Sequence, residues 1–193
     1  MKKWPLENWS RLIDKIKSLS DIIVIGGVAE RGFIQQICKE KGIVNTCGDF
    51  TIGELARVLK SCRLLVSIDS GPMHIATAVG TPVVALFGPT RFSKNRPWVG
   101  DGKAIIVTSN YFCAPCQFTY SFKSCKKDIC MRSISVEDVF DAISLIDKVP
   151  KGRSFRYSRF GLKELNKPLK TSPTLMKDFW NNLRGRISLY LRR

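Results

Sequence analysis

The sequence predicts an α/β fold in which helices cover both faces of a parallel β-sheet. Three observations lead to this prediction. Short runs of β-branched and other apolar residues recur through the first two thirds of the 193-residue chain. Segments with helical periodicity or helix-capping signals separate these runs, and such alternation is typical of parallel sheets. The runs also lack the polar alternation of a half-exposed sheet, which indicates burial on both faces.

The individual elements follow in a regular order. The predicted strands span residues 22–27, 43–48, 64–68, 82–87 and 104–109. The predicted helices span residues 7–20, 29–40, 51–60, 72–79 and 136–146. The first helix follows from the spacing of Trp9, Ile13 and Ile16, and the third opens at a capping box of Thr51 and Glu54.

Composition limits the classes of protein that the chain can represent. Hydrophobic residues make up 44% and charged residues 25%, which is typical of a globular protein. No apolar stretch approaches the roughly 20 residues that a membrane-spanning helix needs. Glu7, Arg11 and Asp14 interrupt the segment behind the basic N-terminal tip, which argues against a secretory signal. We therefore expect a cytoplasmic protein.

The net charge of +16 is concentrated near the C-terminus, where residues 151–193 hold 12 basic and 2 acidic residues. We expect one α/β domain over residues 1–149 and a basic linker or arm over 150–173. Apolar residues then recur with helical spacing, which predicts an amphipathic basic helix over 174–193. Such a helix suits the anionic inner face of the cytoplasmic membrane. A helix docked on its own or a partner domain fits the pattern equally well.

The turn that follows the third strand is the strongest candidate for a binding site. In open α/β sheets, ligands bind beyond the carboxyl ends of the strands. Ser70 or Asp69 can cap the next helix, and Gly71 lets a ligand approach the backbone closely. The amides and the dipole at a helix N-terminus favour phosphate, toward which His74 would project. A capped helix with a core histidine explains the same spacing.

Four segments carry a resemblance to a known family. They are KKWP at residues 2–5, IGGVAE at 25–30, GDFTIGELARVLKSC at 48–62 and DSGPMHIATAVGTPVVALFGPT at 69–90. Over about residues 2–147 the chain resembles glycosyltransferase family 9, the heptosyltransferases of lipopolysaccharide core synthesis. The family has two Rossmann-like domains facing across a cleft, the GT-B arrangement. This chain resembles the second domain, which binds the nucleotide sugar.

The resemblance implies a role for individual residues of this sequence. Lys2 would meet the phosphates of an ADP-heptose-like donor, and Glu30 would accept from the ribose hydroxyls. Phe50 would lie beside the adenine. A final group, which would line the diphosphate and the sugar, consists of Asp69, Ser70, Gly71 and His74. The plainer interpretations are a loose terminus for Lys2, a helix first-turn residue for Glu30 and a core side chain for Phe50.

The resemblance also implies a missing part. The acceptor site and the acidic residue proposed as catalytic base belong to the family's first domain, and nothing before KKWP corresponds to it. No cofactor is required for the chemistry. The expected partners are therefore a nucleotide sugar, a lipid-linked saccharide acceptor and a separate chain that supplies the first domain. A non-catalytic remnant or subunit remains an alternative.

The cysteines of residues 113–130 form a second candidate site. Cys113, Cys116, Cys125 and Cys130 have the spacing C-x2-C-x8-C-x4-C, and four thiolates suffice for a structural zinc ion. Free or buried thiols and disulfides are the alternatives. A zinc-stabilised nucleic-acid-binding protein is a further alternative for the whole chain, favoured by its charge and by the stretch RSFRYSRF at residues 153–160. The family signature argues against it.

Overall fold

A computed structural model describes residues 2–117, 119, 122, 125, 128–158, 161–165 and 188–192. The strands are β1 Asp21–Ile25, β2 Val44–Asn45, β3 Cys62–Ile68, β4 Val83–Phe87, β5 Lys103–Thr108, β6 Arg153–Ser158, β7 Gly161–Glu164 and β8 Ser188–Arg192. The helices are α1 Leu6–Ile16, α2 Val28–Lys41, α3 Ile52–Lys60, α4 Gly71–Ala78, α5 Phe92–Asn95, α6 Ile129–Arg132 and α7 Val136–Leu145.

All eight of these strands belong to one sheet, in the order β2-β1-β8-β3-β4-β5-β6-β7. The pairs β1–β2, β3–β4, β4–β5 and β5–β6 are parallel. Two strands run the other way. Strand β7 is antiparallel to β6 at one edge, and β8 lies antiparallel between β1 and β3 in the middle of the sheet.

Two hydrophobic cores cover the two faces of the sheet. Along β4, Val84 and Leu86 belong to the core that contains buried residues of α1, α2 and α7. Their neighbours Val83 and Ala85 belong to the opposite core, which contains buried residues of α3 and α4. Because successive side chains of a strand point to opposite faces, a strand buried on both faces reads as a continuous apolar run.

The structure confirms the predicted α/β fold and its five strands, with small shifts at their ends. The second strand is the largest shift, since only Val44 and Asn45 pair with β1. The capping box of α3 is also confirmed, because Thr51 accepts a hydrogen bond from the Glu54 amide while the Glu54 carboxylate accepts from the Thr51 amide.

The prediction of a basic linker over residues 150–173 is wrong for its first half. Strands β6 and β7 extend the sheet past the expected domain end at residue 149. In β6, Ser154 and Tyr157 are buried and the Tyr157 hydroxyl donates to Asp141 at 3.0 Å. The stretch offered as a nucleic-acid-binding segment is thus largely an internal strand. The prediction failed because a strand paired with β5 and β7 can keep a charged side chain such as Arg153 exposed while Ser154 and Tyr157 are buried.

The predicted helix over 174–193 is wrong at its end, because Ser188–Arg192 forms β8. Residues 174–187 lie outside the described part of the chain, and so does most of the segment 165–173. The helical spacing was misleading because Leu189 and Leu191 also fit the two-residue period of a strand. Among the described residues, no helix is both long and apolar enough to cross a membrane.

Candidate functional site

The candidate binding site lies where the parallel strands reach their carboxyl ends. Strand β3 ends at Ile68 and α4 begins at Gly71, so Asp69 and Ser70 form the connecting turn. The Asp69 amide donates to the Leu86 carbonyl of β4 at 3.2 Å, which fixes the turn against the neighbouring strand. The location agrees with the general position of ligands in open α/β sheets.

Helix α4 begins without a side-chain cap from its N-cap residue. Ser70 occupies that position, yet its hydroxyl makes no cap hydrogen bond and instead lies 3.0 Å from the Ser67 hydroxyl. The expectation that Ser70 caps the helix is therefore wrong for its side chain. Pro72 stands in the first turn, where a missing amide donor costs little.

Three of the predicted residues form what we call the paired cluster: Lys2, Asp69 and His74. The Lys2 ammonium donates to the Asp69 carboxylate at 2.9 Å, and the two side chains are only 15% and 9% exposed. Burial lowers the pKa of His74, whereas the Asp69 charge opposes this shift and Lys2 adds to it. The imidazole therefore favours its neutral form beside an ion pair that is already formed.

Lys2 reaches this cluster because Trp4 fixes the N-terminal segment. The Trp4 side chain is buried, and its indole nitrogen donates to the Ile134 carbonyl at 2.9 Å. Its ring packs edge-on against Trp9, with 4.8 Å between the ring centroids. A loose terminus is thus the wrong interpretation of Lys2. Trp4 belongs to the KKWP motif, but no local sequence pattern indicates its role as an anchor.

Glu30 lies in the first turn of α2, after the glycine turn that follows β1. Its carboxylate accepts from the Gly27 amide at 2.8 Å, and the side chain is buried. The helix first-turn interpretation therefore describes the contact that the structure contains. A carboxylate has two oxygens with room for several donors, so this contact does not use its whole capacity.

Phe50 lies in the loop between β2 and α3, half-buried against the core that contains α3 and α4. The same loop folds over the glycine turn, since the Gly48 amide donates to the Gly26 carbonyl at 2.9 Å. Gly48 has a φ of +80°, and a Cβ there would lie 2.7 Å from a Val28 methyl carbon. Only glycine allows this close approach of loop and helix.

The structure thus gathers Lys2, Asp69 and His74 at one point and places Glu30 and Phe50 on the neighbouring turns. Strand β8 separates β1 from β3. With strands about 4.8 Å apart, the turn before Glu30 and the turn at Asp69 lie roughly 10 Å from each other across the sheet. That span could hold an extended ligand but not a single small ion touching both turns.

The four cysteines of the second candidate site line one small cavity together with Pro89 and Phe122. Burial raises the pKa of Cys130 to about 11, and the nearby thiol of Cys116 adds to this shift. None of the seven cysteines, all of which lie within the described residues, forms a disulfide. In the described part of the chain, no three histidine, cysteine or acidic side chains are arranged to hold a metal ion. The four thiols share one cavity but are not positioned as a closed set of metal ligands, so zinc stays a prediction that rests on their residue types.

Fold and site together define the chain as a Rossmann-like α/β domain with a charged cluster beside a helix N-terminus. The sequence model of glycosyltransferase family 9 (heptosyltransferase) matches residues 1–126. The chain therefore belongs to this family.

Individual relatives agree with this assignment. Lipooligosaccharide heptosyltransferase 2 of Campylobacter jejuni (strain 81116) is 34% identical over 149 residues, which covers 74% of this chain and 46% of that protein. Lipopolysaccharide heptosyltransferase 3 of Escherichia coli K12 is 32% identical over 109 residues, or 50% of this chain and 30% of that protein. The chain spans less than half the length of these relatives.

Two solved structures are similar as well. A glycosyl transferase family 9 protein from Veillonella parvula aligns with a TM-score of 0.58 and 26% identity, over 75% of this chain and 42% of that one. The ADP-heptose lps heptosyltransferase II of E. coli aligns with a TM-score of 0.60 over the same shares. At 19% identity the second likeness is one of fold alone.

Proposed function

We propose that this chain binds an ADP-heptose-like nucleotide sugar at the carboxyl edge of its sheet. It would act as the donor half of a heptosyltransferase-type glycosyltransferase with a lipopolysaccharide core acceptor, at the inner face of the cytoplasmic membrane. The observation that carries the proposal is the paired cluster at the N-terminus of α4. Membership of family 9 and the names of the relatives support the choice of substrate class.

The diphosphate would bind between Lys2 and the start of α4. An ammonium group and helix-end amides both favour phosphate oxygens, and the contact is charge-assisted. Because Asp69 already neutralises Lys2, the incoming phosphates would have to share or displace that carboxylate. Asp69 could then accept a hydrogen bond from a sugar hydroxyl, while the neutral imidazole of His74 can donate one without adding charge.

The nucleoside would extend toward the turns that follow β1 and β2. Glu30 holds the Gly27 amide with one carboxylate oxygen and could accept from a ribose hydroxyl with the other. Phe50 presents a half-buried ring beside this turn, against which a base could stack. The roughly 10 Å between the two turns is suited to a ligand that extends from phosphate to base.

Sugar transfer needs a base within hydrogen-bond reach of the acceptor hydroxyl. None of the residues assigned above occupies such a position, because all of them serve the donor. We therefore propose that the base and the site of the reacting acceptor hydroxyl come from a separate polypeptide segment. A subunit that binds the donor without catalysing transfer would have the same donor site.

Calorimetric titration of the chain with ADP tests this proposal. We expect saturable binding that weakens about tenfold in Lys2→Gln, since a hydrogen bond to a charged group contributes about 1.5–3 kcal/mol. His74→Ala and Asp69→Ala should change the affinity as well. Asp101→Ala is the matched control, because Asp101 is exposed at the opposite edge of the sheet. A folded chain that does not bind ADP, or variants with unaltered affinity, would overturn the assignment.

Zinc in the cysteine cavity is a separate proposal with its own test. Elemental analysis after metal-replete purification should find about one equivalent if the four thiolates close around an ion. Less than about a tenth of an equivalent would leave the cavity as a cluster of thiols. In that case alkylation should reach the exposed Cys113 first and the buried Cys116 and Cys130 last.

A further inference from the structure

A second group of charged residues lies at the same edge of the sheet, beyond β4. We call it the basic cluster. Arg156 and Lys163 are paired across β6 and β7, Arg96 contacts the neighbouring Leu165, and Arg91 and Lys94 lie within two residues of Phe92, on which Arg156 packs. We propose that the basic cluster binds an oxyanion, and that this oxyanion is a phosphate or carboxylate group of the saccharide acceptor. The second part of this proposal rests on the proposed function.

The strand pairing places two of these cations side by side. In the antiparallel pair of β6 and β7, Arg156 lies directly opposite Lys163. Directly opposed residues share a face of the sheet, and like charges in such pairs are destabilising. The next pair joins Phe155 to Glu164 and therefore lies on the other face, where Glu164 accepts from Arg153 at 2.6 Å. The carboxylate of this hairpin is thus directed away from the two cations.

The guanidinium of Arg156 is held in place by uncharged groups. Its Nε donates to the Thr108 hydroxyl at 3.0 Å, and its central carbon lies 5.3 Å from the centroid of the Phe92 ring. Neither contact uses the two Nη groups. A guanidinium with a fixed orientation and two Nη groups outside these contacts can bind an oxyanion with two parallel hydrogen bonds.

Arg96 is similarly arranged, since its Nη1 donates to the Leu165 carbonyl at 3.3 Å. Burial lowers the pKa of Arg96, which reports that its charge is partly withdrawn from water. Within the described ranges, no member of the basic cluster forms an ion pair with a carboxylate. Five cations with no acidic partner among the described residues raise the local potential, and an anion would lower it.

The cluster is well placed for a ligand that also reaches the donor. Thr108 ends β5, and Phe92 follows the turn after β4, so both lie at the carboxyl edge, where Asp69 follows the end of β3. Strands β3 and β6 are three positions apart in the sheet order. Three strand spacings amount to about 14 Å, a distance that a short oligosaccharide can span. An anionic group of an acceptor could therefore bind here while its hydroxyl faces the donor.

NMR of the full chain can test the assignment through the arginine Nε–Hε resonances. Inorganic phosphate, glucose 6-phosphate and glucose would be titrated at constant ionic strength, with ADP present to fill the donor site. We expect saturable shifts of the Arg96 and Arg156 resonances with the two phosphates and none with glucose. In Arg156→Gln/Lys163→Gln the Arg96 shift should require about tenfold more phosphate. Lys163→Gln alone is the second variant, because a substitution at this exposed position should leave the chain folded if the double variant does not fold.

The matched control is Arg57→Gln/Lys60→Gln, which removes the same charge from the exposed face of α3. If this control weakens binding as much as the cluster variant, or if sodium chloride alone causes the shifts, the site does not exist. Sedimentation with phosphatidylglycerol–phosphatidylcholine vesicles separates the sources of the anion. Vesicle binding that depends on Arg156 and Lys163, with no response to glucose 6-phosphate, would overturn the acceptor assignment.

The ADP titration distinguishes this proposal from the proposed function. If Arg156→Gln/Lys163→Gln loses phosphate binding but keeps its affinity for ADP, this result would support two separate sites. If the wild-type chain does not bind ADP while the arginine resonances still respond to phosphate, the donor assignment fails and the oxyanion site stands. The acceptor role would then fail with the donor assignment.

Discussion

The paired cluster and the basic cluster lie at the same edge of one sheet but balance their charges differently. Lys2 is matched by Asp69 at 2.9 Å, so this group is neutralised before a ligand arrives. Arg156 of β6 instead lies directly opposite Lys163 of the adjacent strand β7. A cation paired with a buried carboxylate contributes to folding. Cations without such a partner destabilise the fold, and a bound anion can offset this destabilisation.

Trp4→Ala should have the largest effect on stability, because it would also release Lys2 from the paired cluster. Removing a buried tryptophan costs about 3–5 kcal/mol of the free energy of unfolding. The lost hydrogen bond to Ile134 adds to this cost. Urea unfolding measures the effect, and Trp98→Ala, at a side chain that is 54% exposed, is the control. Equal losses in the two variants would contradict the anchoring role of Trp4.

Asp69→Asn should leave the Lys2 ammonium mostly buried without a carboxylate. We expect the free energy of unfolding to fall by about 1–3 kcal/mol, which is the cost of an unsatisfied buried polar group. Asp147→Asn breaks the Arg63–Asp147 pair, whose side chains are 56% and 63% exposed, and should cost less than about 1 kcal/mol. If thermal and urea unfolding ranked the two variants the other way, the paired cluster would not be a stabilising contact.

His74→Gln should flatten the dependence of stability on pH. Burial holds the folded pKa of His74 below its ordinary 6.5, so the unfolded chain takes up a proton first as the pH falls. Stability should therefore decline as the pH drops below about 6.5, by at most about 1.4 kcal/mol per pH unit for one group. His74 is the only histidine in the chain, and the carboxylates with lowered pKa titrate at more acidic pH. A wild-type slope between pH 7 and 5 that survives in the variant would refute this assignment.

The smallest expected effect on stability comes from Lys163→Glu, which turns a like-charge pair into an opposite-charge pair. A cross-strand pair of opposite charge contributes about 0.2–1 kcal/mol, so the variant should be slightly more stable than the wild type. The same change should weaken phosphate binding. Lys151→Glu makes the same charge change at an exposed position outside the cluster. It should neither raise stability nor weaken phosphate binding. Destabilisation by Lys163→Glu would mean that the two cations do not repel each other in the folded chain.

Much of this fold could be predicted because its strands are buried on both faces. Such strands read as continuous apolar runs, as in LLVSI and PVVALF, and their carboxyl ends identify the ligand edge. The turn after the third strand indicated Asp69 and His74, the family resemblance added Lys2, and the structure brings the three together. Contacts between Lys2 and Asp69, 67 residues apart, could not follow from local pattern.

What could not be predicted depends on partners that are distant in sequence. The basic stretch at residues 153–158 is a strand because β5 and β7 lie beside it, which composition does not reveal. Trp4 anchors the N-terminus through a carbonyl 130 residues away. Glu30 could be interpreted either as a helix first-turn residue or as a ribose ligand. Only the structure shows that its carboxylate accepts a hydrogen bond from the Gly27 amide.

The position of β8 has a consequence for the way the molecule is made. A ribosome delivers β1, β3, β4 and β5 first, and β8 is the last of the described strands to leave it. Until then β1 and β3 each present an open ladder of backbone groups in what will become the middle of the sheet. Open strand edges attract other chains. In a nascent chain of this protein, β1 and β3 therefore belong to two separate parts of the sheet, and β8 joins these parts when it pairs with both strands.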